Sequence, residues 1–272
     1  MGSFAKALGR AAAMSLETES ANILRSSDAN KRALSAALDG TLRQGHDMRA
    51  FGLGTAATLA SRARYRRFTA AMHGVYSAME HELDGATSEP VRGVWAAHGA
   101  RLRRAPALAA DLRDVGVAPG SGGAASAPPS PAAARYVARV HHAGGLDRAD
   151  GGARLLGHLY CRYFADLFGG QMLAAPTRAA LALPVAPRHY AFEFPGGSRR
   201  AYIESLYASL NEAGDALPSD AARDAVVDEA LRAFGHNVEV YTEEPVGLDA
   251  ALGAGRVVAG FALSAVGARS RS

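Results

Sequence analysis

His158, Arg162, Asp166 and the pair Gly169-Gly170 lie in one stretch, Leu155 to Leu173, reading LLGHLYCRYFADLFGGQML. Its apolar residues Leu155, Leu156, Leu159, Tyr163 and Leu167 recur at three- and four-residue spacing, which predicts an amphipathic helix. The three polar side chains stand four apart, one above another on a single stripe. Glycine inside a helix costs roughly 1 kcal/mol relative to alanine, so a pair of them points to a flat or bulky group that needs the backbone close. A plainer reading stands beside this one: Asp166 as a surface carboxylate paired with Arg162, and Gly169-Gly170 as an ordinary helix C-cap.

The run HLYCRYFADLFGGQ resembles the distal-helix signature of the heme oxygenases, usually HAYTRYLGDLSGGQ. Histidine, tyrosine, arginine, aspartate, two glycines and glutamine agree in order and spacing without a gap. The resemblance implies cleavage of heme to biliverdin, carbon monoxide and ferrous iron, with heme as both cofactor and substrate, bound between a proximal and a distal helix. It implies that Asp166 delivers a proton through ordered water during oxygen activation. Gly169 and Gly170 would let the helix bend over the porphyrin and leave one meso edge open.

The elements that must position these residues follow along the chain. Leu34, Leu38 and Leu42 recur every four residues and His46 continues the series, which predicts a helix from about Lys31 with His46 on its buried face. A lone histidine there reads from spacing as a core residue. The words DGTLRQGHDM, with VYSAME about thirty residues on, resemble the family's proximal segment and make His46 the axial iron ligand. The next helix carries the stripe Phe68, Met72, Val75, Tyr76, Met79 and Leu83. Tyr76 reads as a core tyrosine with one hydrogen-bond partner; the resemblance sets it above the heme, with Glu80 in the same helix.

By resemblance Arg43 and Tyr160 hold the propionates, and Phe234 with Asn237 reproduces an AFxxN motif at the cofactor. The family's lysine and arginine that pair with propionates align to Ile203 and Tyr207, so Tyr207 stands at the cofactor in an arginine's place. Arg199 or Arg200 could compensate. Other departures are Ala165 for the glycine before the distal aspartate, Phe168 for a serine, and Ala50 for a carboxylate four residues after the proximal histidine. They sustain a second reading, a non-catalytic homologue serving as a heme-binding or structural subunit of a larger assembly. A third, a thiamin-salvage type enzyme on a related helical fold, has only Cys161 to offer as a nucleophile.

The chain of 272 residues is rich in alanine and leucine with 7% aromatics, which favours an all-α fold, here a multihelical heme oxygenase-like bundle. Net charge is +4, with Arg62, Arg64, Arg66 and Arg67 in one cluster and Arg101, Arg103 and Arg104 in another. No finger, RNP or basic-zipper pattern accompanies them, so nucleic acid is not the expected partner; a basic surface suits an acidic protein such as a ferredoxin or flavoprotein reductase, the implied electron donor. The single cysteine forms no intrachain disulfide and leaves the compartment open, and no zinc, P-loop or GxSxG spacing occurs.

Residues 1–30 read as a flexible extension or an organelle-targeting segment for plastid or mitochondrion, with the cytoplasm as the other location. The helical domain runs over 31–245, interrupted at 117–131 by the Pro-, Gly- and Ser-rich APGSGGAASAPPSPA, a flexible insertion. Residues 246–272 are mostly apolar but contain Asp249, Arg256 and several glycines, a weak candidate for a membrane anchor.

Overall fold

The computed structural model describes residues 27, 29, 32–45, 48–116, 129–194 and 196–269, with side chains at 42–45, 48–50 and 263–269 left out of the description. Helices account for nearly all of it, and among the described residues there is no strand. In chain order they are α1 (Ala33–Gly45), α2 (Met48–Thr58), α3 (Arg62–Asp84), α4 (Glu89–Leu102), α5 (Ala105–Asp114), α6 (Pro131–Asp150) and α7 (Leu155–Leu159). After a wide turn come α8 (Ala165–Phe168), α9 (Ala174–Leu181), α10 (Arg199–Asp215), α11 (Asp220–Thr242) and α12 (Gly247–Arg269).

Four helices start at serines whose hydroxyls accept from the backbone three residues on: Ser61 from Arg64, Ser130 from Ala133, Ser198 from Ala201 and Ser219 from Ala222. Each such cap stabilises its helix by about 1 kcal/mol. Pro131 at the first position of α6 adds a preset φ. That helix continues through Gly144-Gly145, and Glu82 of α3 accepts from His141 and Arg148 on either side of these glycines. It stops at Gly151, whose φ of 69° suits a residue without Cβ.

α3 is the central post, packed by α4, α5, α6 and α7. Its stripe Met72, Val75, Tyr76, Met79 and Leu83 is buried as the 3-4 spacing requires, and Phe68 is partly buried. Leu34 and Leu38 seat α1 against α10 and α11. The rest of its stripe, the side chain of Leu42 and the whole of His46, lies outside the described residues, as do the segments 1–26 and 117–128.

The chain from Met48 to Thr58 forms a helix that its apolar spacing does not announce, because its partner comes from the far end of the sequence. α12 lies across α2 and α9. A Cβ on Gly253 would stand 1.7 Å from the Ala56 carbonyl oxygen, so glycine is what lets α12 settle on α2. Arg64 pairs with Asp249 beside this contact. The described part of the apolar tail is thus a docked helix, and among the described residues no helix is long and apolar enough to cross a membrane.

Candidate functional site

The segment Leu155 to Leu173 is helical but not one helix. After α7 the chain widens into a π-type turn over Tyr160–Phe164, resumes as α8, and tightens to a 3-10 turn over Gly170–Leu173. Such widenings recur at functional sites. Nothing in the run YCRYF announces it. One consequence is that the polar stripe divides between two partners on α11. His158 Nε2 lies 2.8 Å from Glu229, which also binds Arg139 of α6, whereas Arg162 Nη1 donates to Asn237 Oδ1 at 3.0 Å.

Asp166 is 6% exposed, so the reading of a surface carboxylate does not hold. It accepts a hydrogen bond from the Tyr76 hydroxyl. Arg162 Nη2 donates to the same hydroxyl at 3.0 Å and lies 3.6 Å from the other Asp166 oxygen. Burial first, and the facing carboxylate after it, raise the Tyr76 pKa well above the usual phenol value despite the opposing arginine, so Tyr76 stays protonated and donates. Asn237 completes the cluster by donating to Cys161 Sγ at 2.9 Å. Burial pushes the Cys161 thiol up to about 12, which leaves it unreactive and removes the basis for a cysteine nucleophile. Tyr241, which the sequence reading passed over, packs edge-on against Phe51 and Phe68, tying α2 and α3 to α11 beside this cluster.

The other residues singled out from the sequence fall in different places. Glu80 caps α5, accepting from the backbone of Arg104 at 2.6 Å and Ala105 at 2.9 Å. Phe234 is 1% exposed in the main core. Tyr160 and Tyr207 meet at one acceptor, the carboxylate of Asp39 in α1. Around them Phe164 packs at a tilt with its centroid 4.8 Å from both rings, and Phe168 packs on Phe164 at 5.9 Å. Arg199 donates to the Phe168 carbonyl at 3.2 Å. Backbone alone is described at Arg43, and His46 is outside the described residues. Asp39 was missed, although it precedes His46 by seven residues and therefore shares its helical stripe.

Gly169 ends α8 with φ −121°, a conformation open to any residue, so it is not the left-handed cap that selects glycine. A Cβ there would meet only the Ala165 carbonyl oxygen, at 3.5 Å, in ordinary contact. Packing among the described residues therefore gives no reason for glycine at 169. Gly170 is closer-set, its Cβ position 3.4 Å from both Asp166 and Tyr190. Gly169→Ala is accordingly expected to leave thermal stability unchanged or raised by up to about 1 kcal/mol while weakening hemin binding in an absorbance titration; a variant that binds hemin as the native chain does would place the ligand elsewhere.

These features bear on whether the chain suits an iron porphyrin. The uncrowded backbone at Gly169 and the buried carboxylate three residues before it fit the distal face of one. The Tyr160 and Tyr207 corner carries a carboxylate of its own. Among the described residues no three His, Cys, Asp or Glu side chains gather as a metal-ion site.

Comparison with known proteins gives the same family on three counts. The Heme oxygenase family model matches residues 43–243. Heme oxygenase 1 of Gallus gallus is 33% identical over 179 residues, covering 65% of this chain and 57% of that protein, so the chain matches little more than half the length of this relative. Among solved structures, heme oxygenase 2 from Chlamydomonas reinhardtii without heme superposes with a TM-score of 0.66 at 25% identity, covering 79% of this chain and 99% of that one. Heme oxygenase-2 from Synechocystis sp. in complex with heme and NO gives 0.62 at 27% identity, covering 77% and 84%. With a match over most of its length and the signature segment folded as a glycine-broken helix, the chain belongs to the heme oxygenase family.

Proposed function

We propose that this protein is a heme oxygenase, binding heme as cofactor and substrate with His46 as axial ligand and cleaving it to biliverdin, carbon monoxide and ferrous iron. The observation that carries this reading is the buried Asp166 carboxylate, held by Tyr76 and Arg162 three residues before a glycine that the protein's own packing does not require. Bound heme would supply the iron that activates oxygen and the meso edge that is attacked. Asp166 has one oxygen on the Tyr76 hydroxyl and the other toward Arg162, so it is fixed in place and able to hold a water or pass a proton at its carboxyl oxygens. Arg162 in turn is anchored by Asn237, which prevents the cation from following the carboxylate as its charge changes. Reducing equivalents would come from a ferredoxin or a flavoprotein reductase; of the arginines expected to form a basic docking surface, Arg64 and Arg104 are buried and Arg67 and Arg103 are paired with Glu244 and Asp84.

Titration of the full chain with hemin tests the binding half of this proposal. A saturable ferric heme spectrum is expected, and His46→Ala should alter it at the axial ligand. An unchanged spectrum in the variant would remove His46 from the site.

One observation favours the second reading, a heme-binding or structural subunit without turnover: the Asp39 carboxylate sits with Tyr160 and Tyr207, where a ligand's carboxylates would need donors. Reductant and oxygen separate the two readings, since only the first yields biliverdin.

A further inference from the structure

The apolar residues of α12 are sorted by size in the wrong direction for a helix whose only neighbours are protein and water. Ala250, Gly253, Val257 and Gly260 recur at three- and four-residue spacing on the side that meets the protein. A Cβ on Gly253 would run into Ala56 of α2, and one on Gly260 would stand 2.5 Å from the Ala179 carbonyl oxygen of α9. The large side chains point the other way: Leu248 is 76% exposed, Leu252 51%, Val258 57% and Phe261 44%. With Leu53 of α2 and Val185 in the turn after α9, they make up the exposed large apolar side chains among the described residues. Single exposed leucines are ordinary, but uncovered hydrocarbon confined to one helix and the elements beside it marks a contact surface.

The charges bordering this face have one sign. Arg256, three residues after Gly253 and four before Gly260, stands on the flank of α12, and Arg178 precedes Ala179 on α9. Both are exposed, and neither pairs with a carboxylate among the described residues. Arg62 donates to the carbonyls of Leu181 at 2.8 Å and Ala182 at 2.6 Å, which leaves its charge uncompensated. The acid at the start of α12, Asp249, is taken by Arg64. From Ala250 onward the sequence contains Arg256, Arg269 and Arg271 and no acid. A second copy of the chain would bring these cations against one another, and an acidic protein would offer the outward leucines, valine and phenylalanine little hydrocarbon. An anionic bilayer meets both needs, since apolar side chains enter the acyl boundary while flanking arginines reach the lipid phosphates.

We propose that the outer face of α12 is a membrane-surface docking site. The helix stays folded on α2 and α9, lies in the plane of an anionic bilayer without crossing it, and buries Leu248, Leu252, Val258 and Phe261 at the head-group boundary with Arg178 and Arg256 against phosphates. The site does not depend on heme binding.

Co-sedimentation of the full native chain with vesicles provides the test, using phosphatidylcholine alone and an equal mixture of phosphatidylcholine and phosphatidylglycerol. The native chain should bind the mixed vesicles at least about tenfold more tightly than the neutral ones, and added salt should weaken that binding. Leu252→Ser with Val258→Ser removes hydrocarbon at exposed positions, and Arg178→Gln with Arg256→Gln removes charge alone. Each pair should weaken binding to mixed vesicles by about tenfold or more while thermal melting stays as in the native chain. A native chain that ignores mixed vesicles overturns the proposal, and so does binding that either pair of substitutions leaves unchanged. A native chain that is a dimer without lipid, and a monomer once Leu252→Ser and Val258→Ser are made, would assign the face to a second copy and overturn it as well. The comparison of the two vesicle types needs no variant.

Discussion

Asp166→Asn is expected to slow biliverdin formation by about 10²- to 10⁴-fold while hemin affinity stays within about threefold of the native value, since positioned proton transfer is worth that much in rate and the substitution removes only the proton-accepting charge. The asparagine is nearly the same shape and keeps an oxygen for the Tyr76 hydroxyl, and Arg162 retains its bonds to Asn237 and Tyr76. Asp166→Ala is less informative. It would strip a buried arginine of its carboxylate, and breaking a buried ion pair from one side costs about 3–5 kcal/mol, so lost activity could come from lost structure. The assay is single-turnover conversion of bound heme under excess reductant and air. An asparagine variant that turns over at the native rate would show that Asp166 orders the segment and takes no part in proton delivery.

The largest effect on stability should come from Glu229→Ala. Glu229 is 1% exposed and joins three helices, accepting from His158 of α7 and from Arg139 of α6 at 2.7 Å. Burial alone would raise its carboxyl; the hydrogen bonds from His158 and Arg139 outweigh it and lower the value from 4.5 to about 2. Removing the carboxylate leaves those donors without their acceptor, and a loss of about 3–5 kcal/mol is expected, which for a chain of this size lowers the melting temperature by about 2–4 °C per kcal/mol. The pH dependence has a definite sign. A carboxyl whose folded value is depressed contributes its full stability above the unfolded value of about 4.5, and that contribution is lost as pH falls toward 2. Urea unfolding at pH 6 and pH 3 should therefore show a steeper loss in the native chain than in Glu229→Gln. Parallel losses would remove Glu229 from the acid response.

Much of the bundle was legible because it rests on local pattern. The Leu34 and Leu38 repeat and the Met72 to Leu83 stripe each follow from spacing within a short window, and their helices lie where those windows put them. The signature around Asp166 was legible for the same reason, whereas the hydrogen bond it accepts from Tyr76, 90 residues away, was not. What escaped depends on residues far apart in sequence. α2 is helical because α12, some two hundred residues later, lies on Ala56 through Gly253. The widened turn at Tyr160–Phe164 meets α1 through Tyr160, α3 through Arg162 and Tyr163, and α11 through Arg162, and it leaves no mark in side-chain propensities. Asp39 gave a usable signal, a carboxylate on the stripe of His46. Its meaning depended on Tyr160 and Tyr207, 121 and 168 residues away.

The departures at Ala165, Phe168, Ile203 and Tyr207 also take a physical form. Phe168 packs on Phe164, Ile203 is fully buried, and Tyr207 is held by Asp39. Phe164, Phe168 and Tyr207 form one aromatic corner, with Ile203 one turn before Tyr207 on α10. By resemblance, a hydrocarbon side chain and a phenol stand there in place of the family's two cations, whereas Asp166 and Arg162 keep the residues of its signature.

The most direct test of the whole account is to mix the full-length protein with one equivalent of hemin, add a reductant in air, and record the visible spectrum over time. The account predicts that the heme absorbance decays as a biliverdin band rises and that carbon monoxide is released with it. A heme spectrum that forms and then persists unchanged would contradict it and leave a binding protein on a heme oxygenase scaffold.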